Sequence, residues 1–139
     1  LTYLDCPGLE TQELATQMWQ DTCLRLAPYA ARIVRATSME AVTQFAPGSL
    51  DYVYIDANHE FRPVVEDLTE WSIRVRSGGI VSGHDYRMNT KDESPMKVVE
   101  AVRAFTWAHR IWPWFVLGRR GDTQRRGRDS IRSFMWVKP

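Results

Sequence analysis

Two short acidic tips carry the chemistry this chain can offer: Asp56-Ala57-Asn58-His59 and His84-Asp85-Tyr86. Two carboxylates brought to one place, with added carbonyl or water oxygens, suit a hard divalent cation such as Mg²⁺. Such an ion holds a hydroxyl oxygen and lowers its proton affinity, so an alkoxide or phenolate forms more easily. Imidazoles exchange protons near neutral pH, which makes His59 the candidate catalytic base for that proton. Asp56 and Asp85 are the candidate metal ligands. His84 can join them as a softer nitrogen donor, which weakens a preference for Mg²⁺. Asn58 offers a neutral oxygen. Each residue also has a plainer use. Asp56 can cap the following helix, His59 can be an ordinary first-turn residue, His84 can pack at a sheet edge, and Asp85 can be a turn residue. Tyr86 reads as a packing lid more readily than as a substrate contact.

These tips cooperate only if the chain delivers them to one edge. Asp51 to Ile55 (DYVYI) is β-rich and apolar, as in a central strand. Phe61, Val64, Val65, Leu68, Trp71, Ser72 and Val75 follow at helical spacing, with Glu66, Asp67, Glu70 and Arg74 on the wet side. Gly78-Gly79 ends that connection, and Ile80 to Gly83 is the next strand. A strand–helix–strand unit of this length makes a parallel pair through a crossover. Both tips then lie at the carboxyl edge, where open α/β sheets bind ligands.

The flanking segments extend the alternation. Residues 1–5 (LTYLD) read as a short buried strand ended by Pro7 and Gly8. Leu14, Ala15, Met18, Trp19, Thr22, Cys23 and Leu26 have amphipathic helical spacing from about Glu10 to Leu26. Ala31 to Ala36 is a short strand candidate. Thr37-Ser38-Met39-Glu40 has capping-box spacing and opens a short helix. Ser94-Pro95 is a cap followed by Pro at the first helical position, with Val98, Val99, Val102 and Phe105 facing one way beyond it. Trp112 to Leu117 and Ser133 to Val137 read as a hairpin around a Gly- and Arg-rich loop. The order β α β α β α β α β β predicts an α/β fold: a Rossmann-like, mostly parallel sheet with helices on both faces and a C-terminal antiparallel hairpin.

The stretches DYVYIDANHEF, VVEDLTEW and RSGGIVSGHDY resemble the second half of a class I S-adenosylmethionine-dependent methyltransferase. The likeness is greatest to small-molecule O-methyltransferases whose fourth and fifth strands end in D-x-x-H and G-H-D-Y. It covers residues 37–86 well and the rest loosely. The resemblance implies S-adenosylmethionine as cofactor and methyl transfer to an oxygen of a small-molecule acceptor, a sugar or a phenolic compound. It places Asp5 where the family binds the cofactor's ribose, and Thr37, Ser38 and Met39 where it meets the adenine. Asp56 then has a cofactor- or metal-facing role, and His59 that of base. The family's first strand and its glycine-rich loop have no counterpart, so the chain reads as an N-terminally truncated fragment, one partial domain over residues 1–139. An alternative alignment makes LTYLDCPG the first strand. CPGLE lacks the glycines that let a backbone approach a ligand, which favours the former alignment.

Composition sets the outer limits. The 139 residues are 44% hydrophobic with a formal net charge of +1, enough for one domain with a core. No apolar run approaches the roughly 20 residues of a membrane span, and there is no signal-peptide pattern. Cys6 and Cys23 sit in no metal or redox spacing and read as free thiols of a cytoplasmic protein. Arg119, Arg120, Arg125, Arg126 and Arg128 crowd one loop, either an anion patch or a solvated loop. The near-neutral chain argues against nucleic acid as a partner. Trp19 and Trp71 fall on helical stripes and read as core, while Trp107, Trp112 and Trp114 read as core or a dimer surface. A sheet lacking its central strand exposes unpaired backbone, so a homo-oligomer is expected. Two rival readings follow: a catalytically inactive remnant serving self-assembly, or metal-dependent non-methyl chemistry on the same fold.

Overall fold

A computed structural model of the chain describes residues 12–87, 96–118 and 131–139. The expected first strand, Asp5, Cys6, Ser94-Pro95 and the five loop arginines lie outside those residues. The chain separates into two compact units, Leu1–Ala41 and Val42–Pro139. In the first, helix α1 spans Gln12–Leu26. Its apolar stripe is poorly covered among the described residues: Ala15 is buried, but Leu14, Met18 and Trp19 are exposed. Trp19 is therefore not the core residue its spacing suggests. The Arg35 guanidinium stands 5.3 Å from its ring centroid, where a core residue would have an apolar neighbour. Residues 31–36 form no strand. Arg32 and Arg35 interrupt the apolar run, and the Arg35 side chain bonds Thr16 Oγ1 at 3.0 Å instead. Helix α2 spans Ser38–Val42.

The second unit holds a four-stranded sheet. Strand β1 (Leu50–Ile55) is followed by helix α3 (Phe61–Arg74), strand β2 (Val75–Gly83), helix α4 (Val98–Ala108), strand β3 (Trp114–Leu117) and strand β4 (Ser133–Val137). The spatial order is β1-β2-β4-β3. β1 and β2 are parallel, as the crossover requires, and β4 is antiparallel to both β2 and β3. The expected hairpin is thus present, inserted with β4 beside β2. Helix α3 carries Pro63 in its first turn, where no intrahelical partner for an N–H is lost. The helix runs directly into β2 without a separate turn.

Gly78-Gly79 lies inside β2 rather than before it. Leu50 faces Val75 while Tyr52 faces Ile80, so β2 carries a bulge at the glycines. Gly78 has φ +74, and a Cβ on Gly79 would meet Asp51 O at 2.7 Å. The bulge is stitched from the other side. The Gly78 amide donates to Lys138 O at 2.9 Å, the Lys138 amide to Gly79 O at 2.8 Å, and Lys138 Nζ to Val75 O at 2.6 Å.

The core lies between the sheet and the two helices. Val64 and Leu68 of α3, Val99 and Val102 of α4, and Val75, Val81, Phe134 and Trp136 of the strands are fully buried. Burial of each such side chain is worth about 1.5–3 kcal/mol. The α4 stripe predicted from Val98, Val99, Val102 and Phe105 is buried as expected. Asp67, expected on the wet side of α3, is only 4% exposed. A carboxylate so placed requires a polar partner. Trp71 packs at the core edge with its ring 5.5 Å from Phe45.

Candidate active site

Ile55 and Gly83 are opposed at the carboxyl ends of β1 and β2. The His84 amide donates to Ile55 O at 3.0 Å, which carries the ladder one step further. Asp56 therefore leaves β1 beside the point where His84 and Asp85 leave β2. Asp85 takes φ 55, a left-handed conformation that Asp tolerates better than most residues. This turn is tied down on both sides. The Tyr86 amide donates to Arg132 O at 2.8 Å and the Arg87 amide to Asp85 O at 2.7 Å. Gly83 is needed at the strand end because a Cβ there would collide with the Phe134 ring and meet Ile55 O at 2.6 Å.

The side chains converge. His59 Nε2 lies 3.0 Å from Asp85 Oδ2 and 4.0 Å from Asp56 Oδ1. His84 Nδ1 lies 3.3 Å from Asp85 Oδ2 and 4.0 Å from Asp56 Oδ1. Ligand atoms of Asp56, His59 and Asp85 all fall within 4.8 Å of one another. The Asp85 side chain is 10% exposed and that of Asp56 50%, so one carboxylate is an inner anchor and the other faces outward. The approach of His59 Nε2 to Asp85 is close but out of line. That nitrogen is shut off from solvent and makes no hydrogen bond of acceptable geometry. Distance alone would count it as paired; the angle decides that it is not, because hydrogen bonds weaken steeply off axis.

Several plainer readings are now decided by contacts. Asp56 does not cap α3; Glu60 occupies the cap position, with no side-chain cap bond. Asn58 Oδ1 accepts the Glu60 amide at 2.7 Å, so this oxygen holds the local turn rather than standing free as a ligand. His59 precedes the helix instead of lying in its first turn. Its carbonyl accepts the Lys97 amide at 2.7 Å, which fixes the start of α4 against the site loop. Arg87 Nη2 meets Met96 Sδ at 3.1 Å close by. Tyr86 is a buried packing residue: its ring is 5.6 Å from Trp114, and its hydroxyl accepts from Arg103 Nε at 3.2 Å.

Two neighbours escaped the reading of the sequence. The Tyr54 ring lies 6.4 Å from that of His84, and its hydroxyl is 3.0 Å from Ser133 Oγ. Tyr54 stands two residues before Asp56, so strand alternation places it on the same face, a signal available from the sequence. Ser133 gave no such signal, because only folding brings β4 beside β2.

Thr37, Ser38 and Met39 belong to the N-terminal unit. There Thr37 is engaged in a capping box: its amide donates to Glu40 Oε2 at 2.9 Å, its hydroxyl to the same oxygen at 2.8 Å, and the Glu40 amide returns to Thr37 Oγ1 at 3.2 Å. The Thr37 backbone bond, then its hydroxyl bond, holds the exposed Glu40 carboxyl below the usual glutamate range. A carboxylate lowered by folding stabilises above its unfolded value and stops doing so as pH falls through its folded one. Amide protection at Thr37 and Glu40, taken relative to the intrinsic exchange rate, should therefore fall on acidification through that window and stay level above it. Glu40→Gln should remove the pH dependence while keeping part of the protection; an unchanged acid limb in that variant would rule the account out.

Comparison with known proteins bears on the fold and the family. A search among curated proteins gave no match. The fold is similar to that of "a putative O-methyltransferase from Klebsiella pneumoniae", whose crystal structure matches at 17% identity and a TM-score of 0.56. The match covers 89% of this chain, and the chain spans 57% of that protein's length. At that identity the likeness speaks for the α/β Rossmann-like fold alone. No helix among the described residues is long and apolar enough to cross a membrane. A family model described as a methyltransferase domain matches residues 5–86, more than half of the chain and inclusive of both acidic tips. The chain therefore belongs to the methyltransferase-domain family.

Proposed function

We propose that this chain is a partial catalytic domain that transfers a methyl group from S-adenosylmethionine to an oxygen of a small molecule. The observation that supports the reading most is the convergence of Asp56, His59 and Asp85 at the carboxyl edge, with His59 Nε2 3.0 Å from Asp85 Oδ2. The donor set fits a divalent cation: the carboxylates of Asp56 and Asp85 with two imidazoles close to them. Asp56, Asp85 and His84 would hold the ion, which when bound lowers the proton affinity of an acceptor hydroxyl. His59 is the proposed base for the hydroxyl proton. Asp85 places a carboxylate 3.0 Å from that imidazole. The half-exposed Asp56 faces the entering substrate. Buried neighbours around Asp85 keep these groups in register, which is where much of the rate of an in-line transfer originates. S-adenosylmethionine supplies the electrophilic methyl; Asp5, Thr37, Ser38, Met39 and Asp56 are the proposed cofactor contacts.

One geometric detail favours a second assignment of the nitrogens. The tightest three-residue cluster contains His59 rather than His84, so His59 itself can be the nitrogen ligand. Calorimetric titration with Mg²⁺ and Mn²⁺ separates the two. If His84 is the ligand, His84→Gln should weaken ion binding while His59→Gln leaves it in place. If His59→Gln alone removes ion binding, the roles are exchanged. Titration with S-adenosylhomocysteine, with and without Mg²⁺, tests the reading as a whole. Heat of binding that is lost on Asp56→Asn supports it. No binding in either condition would remove the enzymatic reading and leave self-assembly as the role. We further propose that the full chain works in the cytoplasm as a homo-oligomer.

A further inference from the structure

Away from the acidic tips, the end of α4 and the start of β3 line an open cleft of about 770 Å³. Its walls include Arg103, Trp107, Arg110, Ile111, Trp112 and Trp114. None of Asp56, His59, His84 or Asp85 lines it. The volume is in the range that holds a small organic ligand. The lining is unusual in three respects. Three indoles and two guanidiniums meet there with no acidic side chain among them. Trp107 and Trp112 are 87% and 84% exposed, so neither ring is covered by a described part of the chain. Arg110, with φ 54, occupies the left-handed position just past the helix that glycine ordinarily fills.

That third point bears on a ligand. The helix ends through two backbone bonds, Ile111 N–H to Thr106 O at 2.9 Å and Arg110 N–H to Trp107 O at 3.2 Å. Glycine would make both bonds without the Cβ penalty. The cap therefore has no need of a guanidinium, and among the described residues the Arg110 guanidinium has no hydrogen-bond or ion-pair partner. Strain retained beside a cavity is a signal of binding rather than of folding. Arg103 differs: its Nε is committed to the Tyr86 hydroxyl at 3.2 Å, which fixes the fork and leaves the terminal nitrogens to bond elsewhere. Flat indole and guanidinium faces stack on flat rings, and guanidinium forks pair with carboxylate or phosphate oxygens in two-point contacts.

We propose that this cavity binds a planar aromatic anion: an aromatic ring between the indoles, with its carboxylate or phosphate on Arg110 and Arg103. The site is independent of the methyl-transfer reading, because it shares no residue with the acidic cluster. An isolated apolar patch would attract a neutral ring equally well, and a plain anion patch would not need the indoles.

The test uses the full chain with nitrogen-15-labelled indoles, titrated with 2-naphthoate, 1-naphthyl phosphate, neutral 2-naphthamide and non-aromatic cyclohexanecarboxylate. The naphthoate or the phosphate should shift the Trp107, Trp112 and Trp114 indole signals; whichever binds more tightly identifies the anion. Loss of a charge-assisted contact should leave the amide about tenfold weaker or more. Arg110→Gly should weaken the anions to the level of the amide while the melting temperature holds or rises, since glycine suits that backbone. This opposite response separates binding from folding. Trp107→Ala should weaken all the aromatic probes. The proposal is overturned if 2-naphthamide binds as well as 2-naphthoate, or if Arg110→Gly leaves anion affinity unchanged. It is equally overturned if only other indoles shift, or if a concentration-dependent dimer in light scattering buries Trp107 and Trp112 and abolishes the response.

Discussion

Asp85→Asn is expected to fold normally and to lose its function. Asn keeps the shape of the side chain and tolerates the left-handed φ of 55 that this position imposes. It removes the one negative charge that lies 3.0 Å from His59 and 3.3 Å from His84. Divalent-ion affinity should fall by at least about 10–100-fold, the loss that even outer partners of a metal site produce. Methyl transfer, followed by release of S-adenosylhomocysteine, should fall about 10²–10⁴-fold, as when a positioned base is disabled. Asp85→Ala should lose the same function and also about 1–2 kcal/mol of stability, because alanine is strained at this φ. If Asp85→Asn retained both ion binding and turnover, the reaction centre would have to lie elsewhere.

Gly83→Ala should produce the largest loss of stability of any small substitution near the site. The added methyl has nowhere to go: it collides with the Phe134 ring and stands 2.6 Å from Ile55 O. The ring belongs to β4 and the carbonyl to β1, so the methyl is pinched between both neighbours of β2. Overpacking of this kind costs about 1–3 kcal/mol and occasionally more; here we expect the upper end. Chemical denaturation should show it as a lower midpoint with an unchanged slope. Phe134→Leu in the same chain should recover part of the loss, since one obstacle is a side chain, but the backbone oxygen stays. Full recovery would mean that the main chain is more compliant than this geometry allows.

The site was legible in the sequence to the extent that local pattern governs it. Strand, helix, strand over residues 51–83 fixed a parallel pair by handedness and length. Asp56 and Asp85 then had to share an edge. The α4 stripe was equally plain, because its spacing demands one buried face. What pattern alone could not give was geometry set by distant contacts. Gly78-Gly79 read as a break, yet Lys138, sixty residues further on in sequence, holds them inside β2. Asp67 read as solvated from its type and is buried. Trp19 read as core from its spacing, and Arg35 covers it instead. Asn58 looked like a ligand, and a bond to the amide two residues on uses its oxygen. At the glycines, Trp19 and Asn58, contacts outweighed a statistical preference.

Two contacts bracket the stretch that follows the second tip. On one side Arg87 reaches Met96, and on the other Lys97 is held by the carbonyl of His59. The chain is thus gripped at both shoulders by groups that do not belong to residues 88–95. A substitution that shifts the His59 carbonyl would therefore be felt at the first turn of α4 as well as at the acidic tips.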